Sequence, residues 1–226
     1  GGHKNLRYCR NSKELLKNLK YFFRNEKNLV CQEYISGSAH GFYSFFIDGK
    51  IVAKFMHKRI KQFPITGGAS AVASGFRDVE LERQAVCLLK KLNWNGPAMV
   101  EFIKDKYDSN YKLVEINPKL WGSLDLTIAS GIDIAEIYSD LAHGRKSRKA
   151  WDYEHIIFRW LFPDEALHFV ASKFNKGKYG DVLPVKTNFD SLDIAPSFFQ
   201  VFSFIIKLFR YLIQGNLSSP SGSPNI

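Results

Sequence analysis

Two apolar runs, Pro97 to Lys104 and Tyr111 to Ile116, are joined by the polar stretch Asp105 to Asn110, and a single glutamate interrupts each. Runs of this length flanking a turn signal read as a β-hairpin. Glu101 sits in Ala98-Met99-Val100-Glu101-Phe102-Ile103, and Glu115 in Leu113-Val114-Glu115-Ile116-Asn117. A carboxylate in a run that wants burial needs a cation, a donor network or a proton. With Lys104 opposite Lys112, Glu101 falls directly across from Glu115, with Cβ atoms roughly 5 Å apart. Asn117, two residues on, shares that face. Two carboxylates and an amide oxygen make a set of hard oxygen donors that suits Mg²⁺ completed by phosphates and water. No His or Cys joins them, which argues against zinc. The alternative for any two acids on a hairpin is pairing with Lys or Arg on a solvated face.

The rest of the chain supplies a frame for that hairpin. Ser12 to Arg24 reads as a helix capped by Ser12, with Leu15, Leu16, Leu19, Phe22 and Phe23 on one face and Lys13, Lys17, Lys20 and Arg24 on the other. Asn28 to Tyr34 reads as a buried strand. Gly41 to Asp48 and Lys50 to Lys58 read as two more, turning at Asp48-Gly49. Arg59 to Phe76 is rich in Gly, Ser and Thr and reads as irregular. Asp78 caps a helix running to about Asn93, and Leu124 to His143 reads mostly as helix.

Beyond Trp151 the character changes. Trp151, Tyr153, Phe158, Trp160, Leu161 and Phe162 read as packing residues, and Phe198 to Ile213 as a strongly apolar helix carrying Lys207 and Arg210. That helix reads as too short to span a bilayer. It suits docking on the protein body, with peripheral membrane contact through residues 198–213 as the alternative. The expected organisation is a unit over 1–143, a basic linker over 144–150 (Arg145, Lys146, Arg148, Lys149), a helical appendage over 151–217 and a flexible tail over 218–226.

Composition narrows the class. Apolar residues form 45% and charged residues 24% of the 226, an ordinary globular balance. The net charge of +10 favours acidic partners without choosing among them. Cys9, Cys31 and Cys87 form no zinc pattern, and their odd number and wide spacing suit a reducing cytoplasm. The chain opens on Gly1-Gly2-His3-Lys4, with neither an initiator Met nor an apolar stretch of signal-peptide type, so it reads as a fragment or a processed chain.

Glu101-Phe102, Leu113-Val114-Glu115-Ile116-Asn117-Pro118 and Trp121-Gly122-Ser123 together resemble the metal-binding end of the ATP-grasp superfamily. Within it, they are most similar to the carbamoyl-phosphate-synthetase-like carboxylate–amine ligases. Val30-Cys31-Gln32-Glu33-Tyr34-Ile35-Ser36-Gly37 resembles the family's hinge, and the likeness covers roughly residues 1 to 143.

The resemblance implies an α+β fold: an ATP-grasp-like antiparallel sheet flanked by helices, with a C-terminal, mainly helical appendage. It implies that Glu101, Glu115 and Asn117 hold one or two Mg²⁺ ions (or Mn²⁺) bridging the phosphates of ATP. Glu33, Tyr34 and Ile35 would form the hinge against adenine, Glu33 alternatively being a strand-edge charge. Thr66-Gly67-Gly68-Ala69-Ser70 resembles the loop near the reacting centre, where Gly67 and Gly68 let backbone N–H groups approach an anion and Ser70 adds a donor. Arg59, and His57 beside it, would bind a substrate carboxylate or phosphoryl oxygens, the alternative being a solvated strand end. Lys119 stands where many relatives carry Arg; it keeps the charge and loses the bidentate fork.

The implied activity is ATP-dependent ligation of a small carboxylate to an amine, or to a thiol, through an acyl phosphate. No match to the family's first lobe precedes Gly1, so weak ATP binding by this chain alone is the expectation. Two other readings stand beside the ligase: a degenerate, non-catalytic ATP-grasp nucleotide-binding module, and a basic protein that binds a polyanion or membrane surface. No nucleic-acid signature is present, and nothing signals an oligomeric state.

Overall fold

The computed structural model describes residues 7–24, 29–65, 68–145, 150–172, 184–189 and 193–214. Its frame is one seven-stranded sheet, ordered β5-β4-β1-β2-β3-β6-β7. The strands are β1 (Gly37–Ile47), β2 (Lys50–Phe63), β3 (Ala69–Gly75), β4 (Gly96–Asp105), β5 (Tyr111–Asn117), β6 (Ile157–Arg159) and β7 (Val185–Thr187). Neighbours pair antiparallel, except β6 with β7. Asp48 and Gly49 make the β1–β2 turn with φ of 48° and 73°, the left-handed pair that a two-residue hairpin loop requires.

β1 lies between β2 and β4, which pair with its two edges, and packing on both faces buries Phe42 to Phe46 without a break. On one face Phe42, Phe46, Met56, Val100 and Phe102 pack against Leu81, Ala85 and Leu89 of helix α2 (Val79–Lys91). Asp78 caps α2 by accepting from the Glu80 and Leu81 amides, and also accepts from the Tyr111 hydroxyl of β5. On the other face Tyr43, Phe45 and Phe55 pack with Trp121, Tyr153, Phe158 and Trp160 and with helices α3 (Leu124–Ala129) and α4 (Ile134–Ala142). The stretch Leu124 to His143, read mostly as helix, is two helices with the chain turning at Gly131.

Several expectations change. The N-terminal helix α1 (Ser12–Phe22) is capped by Asn11, whose Oδ1 accepts from the Glu14 amide at 2.9 Å, rather than by Ser12. Its Phe22 is buried, whereas Leu16 and Phe23 are exposed. The buried strand expected over Asn28 to Tyr34 does not form. Residue 28 lies outside the described residues, 29–36 pair with no strand, and Val30 is 83% exposed. The segment makes no ladder: β2 and β4 occupy both edges of β1, and the open outer edge of β5 is left unpaired by it among the described residues. Conversely, Arg59 to Phe76 is largely ordered, because β2 continues to Phe63 and β3 follows.

The C-terminal segment is mainly helical. It contains an irregular helical turn (Leu161–Glu165), α5 (Ala166–Ala171) and the long α6 (Ile194–Gln214), while its β6 pairs with β3. Trp151 is an exception to the expected packing set: it is 40% exposed, with the Lys54 ammonium 5.7 Å from its ring centre. α6 is longer than expected, 21 residues, and by length and composition it can cross a bilayer. Pro196 sits in the first turn, where the amide it lacks would have had no helical partner. The tail over 218–226 and Lys146, Arg148 and Lys149 of the linker lie outside the described residues.

Candidate functional site

Glu101 and Glu115 are direct cross-strand partners, but not by the register that Lys104 opposite Lys112 implies. Lys104 pairs with Tyr111, Ile103 with Lys112 and Phe102 with Leu113; then Glu101 pairs with Glu115. Val114 is the extra residue of a β-bulge, and this one-residue shift sets the two acids opposite each other. A bulge re-aims the side chains that follow it. Without it, Glu101 would face Val114. Asn117 follows on the same side: its Nδ2 donates to Glu115 Oε1 at 2.8 Å.

The third strand of the site is β2. Arg59 Nη2 lies 3.9 Å from Glu101 Oε2, its Nε donates to Ser70 Oγ at 3.1 Å, and its Nη1 donates to Gln62 Oε1 at 3.2 Å. One guanidinium therefore ties Glu101 to the start of β3, and its plane is fixed by two neutral acceptors. Ser70 lies within β3 rather than in a loop. Gly68 approaches the backbone so closely that a Cβ there would meet the Phe63 carbonyl oxygen at 2.1 Å. Thr66 and Gly67 lie outside the described residues. Lys119 is exposed just beyond β5, near enough for its charge to act on Glu101.

The hinge residues stand apart. Glu33 and Tyr34 are exposed and Ile35 half-buried in the segment before β1. Tyr34 packs edge-on against Tyr8 at 5.5 Å, and Glu33 acts on Lys112. Among the described residues, no hydrogen bond or ion pair joins these three to Glu101, Glu115 or Asn117.

Beneath the cluster lies a layer without a sequence motif. Gly41 of β1 sits between His57 and Glu101 in register, and the Tyr43 side chain fills the space a side chain at 41 would take. The Tyr43 hydroxyl is 2.5 Å from His57 Nε2 and also bonds to Ser123. His57 is therefore not a surface ligand: it is 2% exposed. The signal available in the sequence was parity, since Gly41, Tyr43 and His57 fall on the face that carries Glu101.

The electrostatics follow from this placement. Burial pushes the Glu101 carboxyl above the usual range; Arg59 opposes the shift, Glu115 adds to it and Lys119 opposes it. A half-buried acid facing a second acid favours a cation between them. The described residues hold no group of three or more His, Cys, Asp or Glu placed for a metal, so any ion here relies on the two acids, the Asn117 amide and outside oxygens. That donor set fits Mg²⁺, which keeps phosphate and water ligands.

Burial, and then the charge of Arg59, hold the His57 pKa well below 6.5. A folded-state pKa below the unfolded one gives stability that is complete above about pH 6.5 and lost as pH falls through that value. The limiting loss is about 1.4 kcal/mol per pH unit for one proton. His40, lowered chiefly by burial, adds in the same direction. His57→Gln should flatten the decline of the urea midpoint between neutral pH and mild acid; an unchanged slope would place the acid sensitivity elsewhere.

Residues 69–149 match the family model described as "Carbamoyl-phosphate synthase L chain, ATP binding domain". The chain has an ATP-grasp fold. The ATP-grasp match runs from β3 through α4 and takes in Ser70, Glu101, Glu115, Asn117 and Lys119, but not Arg59. Solved ATP-grasp structures agree in fold. N5-carboxyaminoimidazole synthetase from Staphylococcus aureus is 15% identical with a TM-score of 0.56, covering 74% of this chain and 46% of that one. Biotin carboxylase from Campylobacter jejuni, in a β,γ-ATP complex, is 21% identical with a TM-score of 0.53, over 70% and 39%. The biotin carboxylase domain of Hydrogenobacter thermophilus 2-oxoglutarate carboxylase, in complex with MgADP, ADP and bicarbonate, is 19% identical with a TM-score of 0.52, over 70% and 38%. The chain thus spans less than half the length of each. No curated protein matches it by sequence. Residues 69–149 are thus similar to an ATP-binding domain, and the likeness to these carboxylase and synthetase structures is one of fold.

Proposed function

We propose that the protein containing this chain uses Mg²⁺ and ATP to join a small carboxylate to an amine or thiol. The γ-phosphoryl group passes to the carboxylate oxygen, the bond to the β-phosphate oxygen breaks and ADP leaves. The nucleophile then attacks the acyl carbon and inorganic phosphate departs. The observation that carries the reading is the pairing of Glu101 with Glu115, with Asn117 bonded to Glu115 and Arg59 facing Glu101.

Glu101, Glu115 and Asn117 would hold Mg²⁺, which when bound supplies charge neutralisation between phosphate oxygens. The chain's own residues do the rest by positioning. Arg59, its plane held by Ser70 and Gln62, presents a preset donor fork to the transferring group or the acceptor carboxylate. Lys119 adds an exposed positive charge. The Glu33–Ile35 segment would take the adenine. No covalent enzyme nucleophile is required. A cytoplasmic setting suits this chemistry.

Lys119, in place of the arginine of many relatives, favours one second reading: a nucleotide-binding module without turnover. Mg²⁺-dependent ADP formation from ATP, measured with pools of small carboxylates, bicarbonate and amines, separates the two. Bicarbonate is included because the Hydrogenobacter domain binds it. Stimulation by one acid with one nucleophile supports the ligase. ATP binding without stimulation by any pair supports the module.

A further inference from the structure

We propose that α6 lies in the interface of an anionic phospholipid bilayer, its outer face among the acyl chains. At 100° per residue, α6 divides into three sectors. The sector holding Gln200, Phe204, Leu208 and Tyr211 faces the protein. Asn188 Nδ2 donates to Gln200 Oε1 at 2.8 Å, and the Phe204 ring lies 5.7 Å from Phe162. The Tyr211 ring lies 5.1 Å from Phe63, and Ser197 is buried beside them. A second sector, roughly 160° wide, runs from Val201 round to Phe199 and is apolar throughout. Phe198, Phe199, Phe202, Ile205, Phe209 and Ile213 are all exposed on it. The third, narrow sector carries Arg210 at the border of the apolar one and Lys207 beside Gln200, at the border of the protein-facing one.

Three observations select the occupant. The helix is long and apolar enough to meet the criteria for a membrane span, yet only 6% of its apolar window is buried. Its inner face is fixed to the body, which orients it along the protein surface rather than through a bilayer. It contains no Asp or Glu, and Arg210 borders the apolar sector, where its stem can run along the apolar face to reach headgroups. Asp164, packed beneath, faces Lys207 and leaves Arg210 as the outward charge. A second copy of the chain fits less well. A helix pairing seam is narrower than this sector, and two chains of net charge +10 repel.

The test is co-sedimentation of the full chain with vesicles of phosphatidylcholine and phosphatidylserine, and with vesicles of phosphatidylcholine alone. The expected result is binding about tenfold tighter to the anionic vesicles at low salt. Arg210→Gln removes most of that preference, whereas Lys207→Gln, on the side facing Asp164, changes it little. Phe202→Ser with Phe209→Ser lowers binding to both vesicle types about tenfold or more. Both phenylalanines are exposed, so the fold is retained and circular dichroism checks it. In a Phe202→Trp variant, the added fluorescence shifts to the blue on addition of anionic vesicles. Absence of vesicle binding overturns the proposal. Self-association that Phe202→Ser with Phe209→Ser abolishes, without vesicle binding, overturns it in favour of a second copy, and retention of a soluble protein in place of vesicles overturns it in favour of that partner.

Discussion

Glu115→Ala lowers Mg²⁺-dependent ADP formation by about a hundredfold or more and leaves the melting temperature within about 2 °C. The two halves of this expectation have different causes. Glu115 is exposed, and among the described residues its bond to Asn117 is its sole hydrogen bond, so little packing is lost. Surface substitutions of that kind shift stability by about 0.5 kcal/mol or less. In the proposed site, however, Glu115 supplies one of only two carboxylates. Its loss leaves Glu101 facing Arg59 alone, which draws the remaining acid into an ion pair. Glu101→Ala differs in a useful way: it leaves the half-buried guanidinium without its carboxylate, so activity and stability fall together. Steady-state kinetics with a parallel thermal melt checks both variants. Wild-type turnover in Glu115→Ala would remove it from the site.

Gly41→Ala destabilises the protein by about 1–3 kcal/mol and also impairs the site. A Cβ at position 41 would lie 2.4 Å from the Tyr43 hydroxyl and 2.6 Å from the ring carbon bearing it. Tyr43 cannot swing away, because it is 1% exposed and enclosed by Phe55, His57 and Trp121. An Ala for Gly in extended backbone gains about 0.4–1 kcal/mol by restricting the unfolded chain, which is less than the overpacking cost. The displaced phenol loses His57 and presses on the strand that carries Glu101. Urea unfolding gives the stability term, and Tyr43→Phe provides the comparison. It removes the hydroxyl and relieves the contact, so Gly41→Ala in a Tyr43→Phe background should recover part of the loss. No recovery would mean that the close approach is not the cause.

The hairpin with its two acids was legible because its signals are local: apolar runs, a polar turn and one acid in each run. Its register was legible only in outcome. The turn begins one residue out of step with the simple pairing, and the Val114 bulge, which no residue type announces, compensates. β3 was not legible. Ala69-Ser70-Ala71-Val72-Ala73-Ser74-Gly75 has little intrinsic β tendency, and these residues are extended because β2 and β6 pair on either side. Leu29 to Tyr34 failed in the opposite direction, with strand-like residues that join no edge of the sheet. His57 looked like a strand-end ligand because burial on a twisted sheet depends on what packs above it, here Tyr43 over a glycine. The reach of Arg59 to both Glu101 and Ser70 joins residues far apart in sequence through β2, β4 and β3, and only the assembled sheet reveals it.

The most direct measurement is the effect of Mg²⁺ on ATP affinity, by calorimetric titration of the wild type and of a Glu101→Gln, Glu115→Gln double variant. Gln keeps the shape and removes the charge. The account predicts that Mg²⁺ tightens ATP binding at least about tenfold in the wild type and has no such effect in the variant. An equal Mg²⁺ effect in both proteins would contradict the paired carboxylates as the metal site.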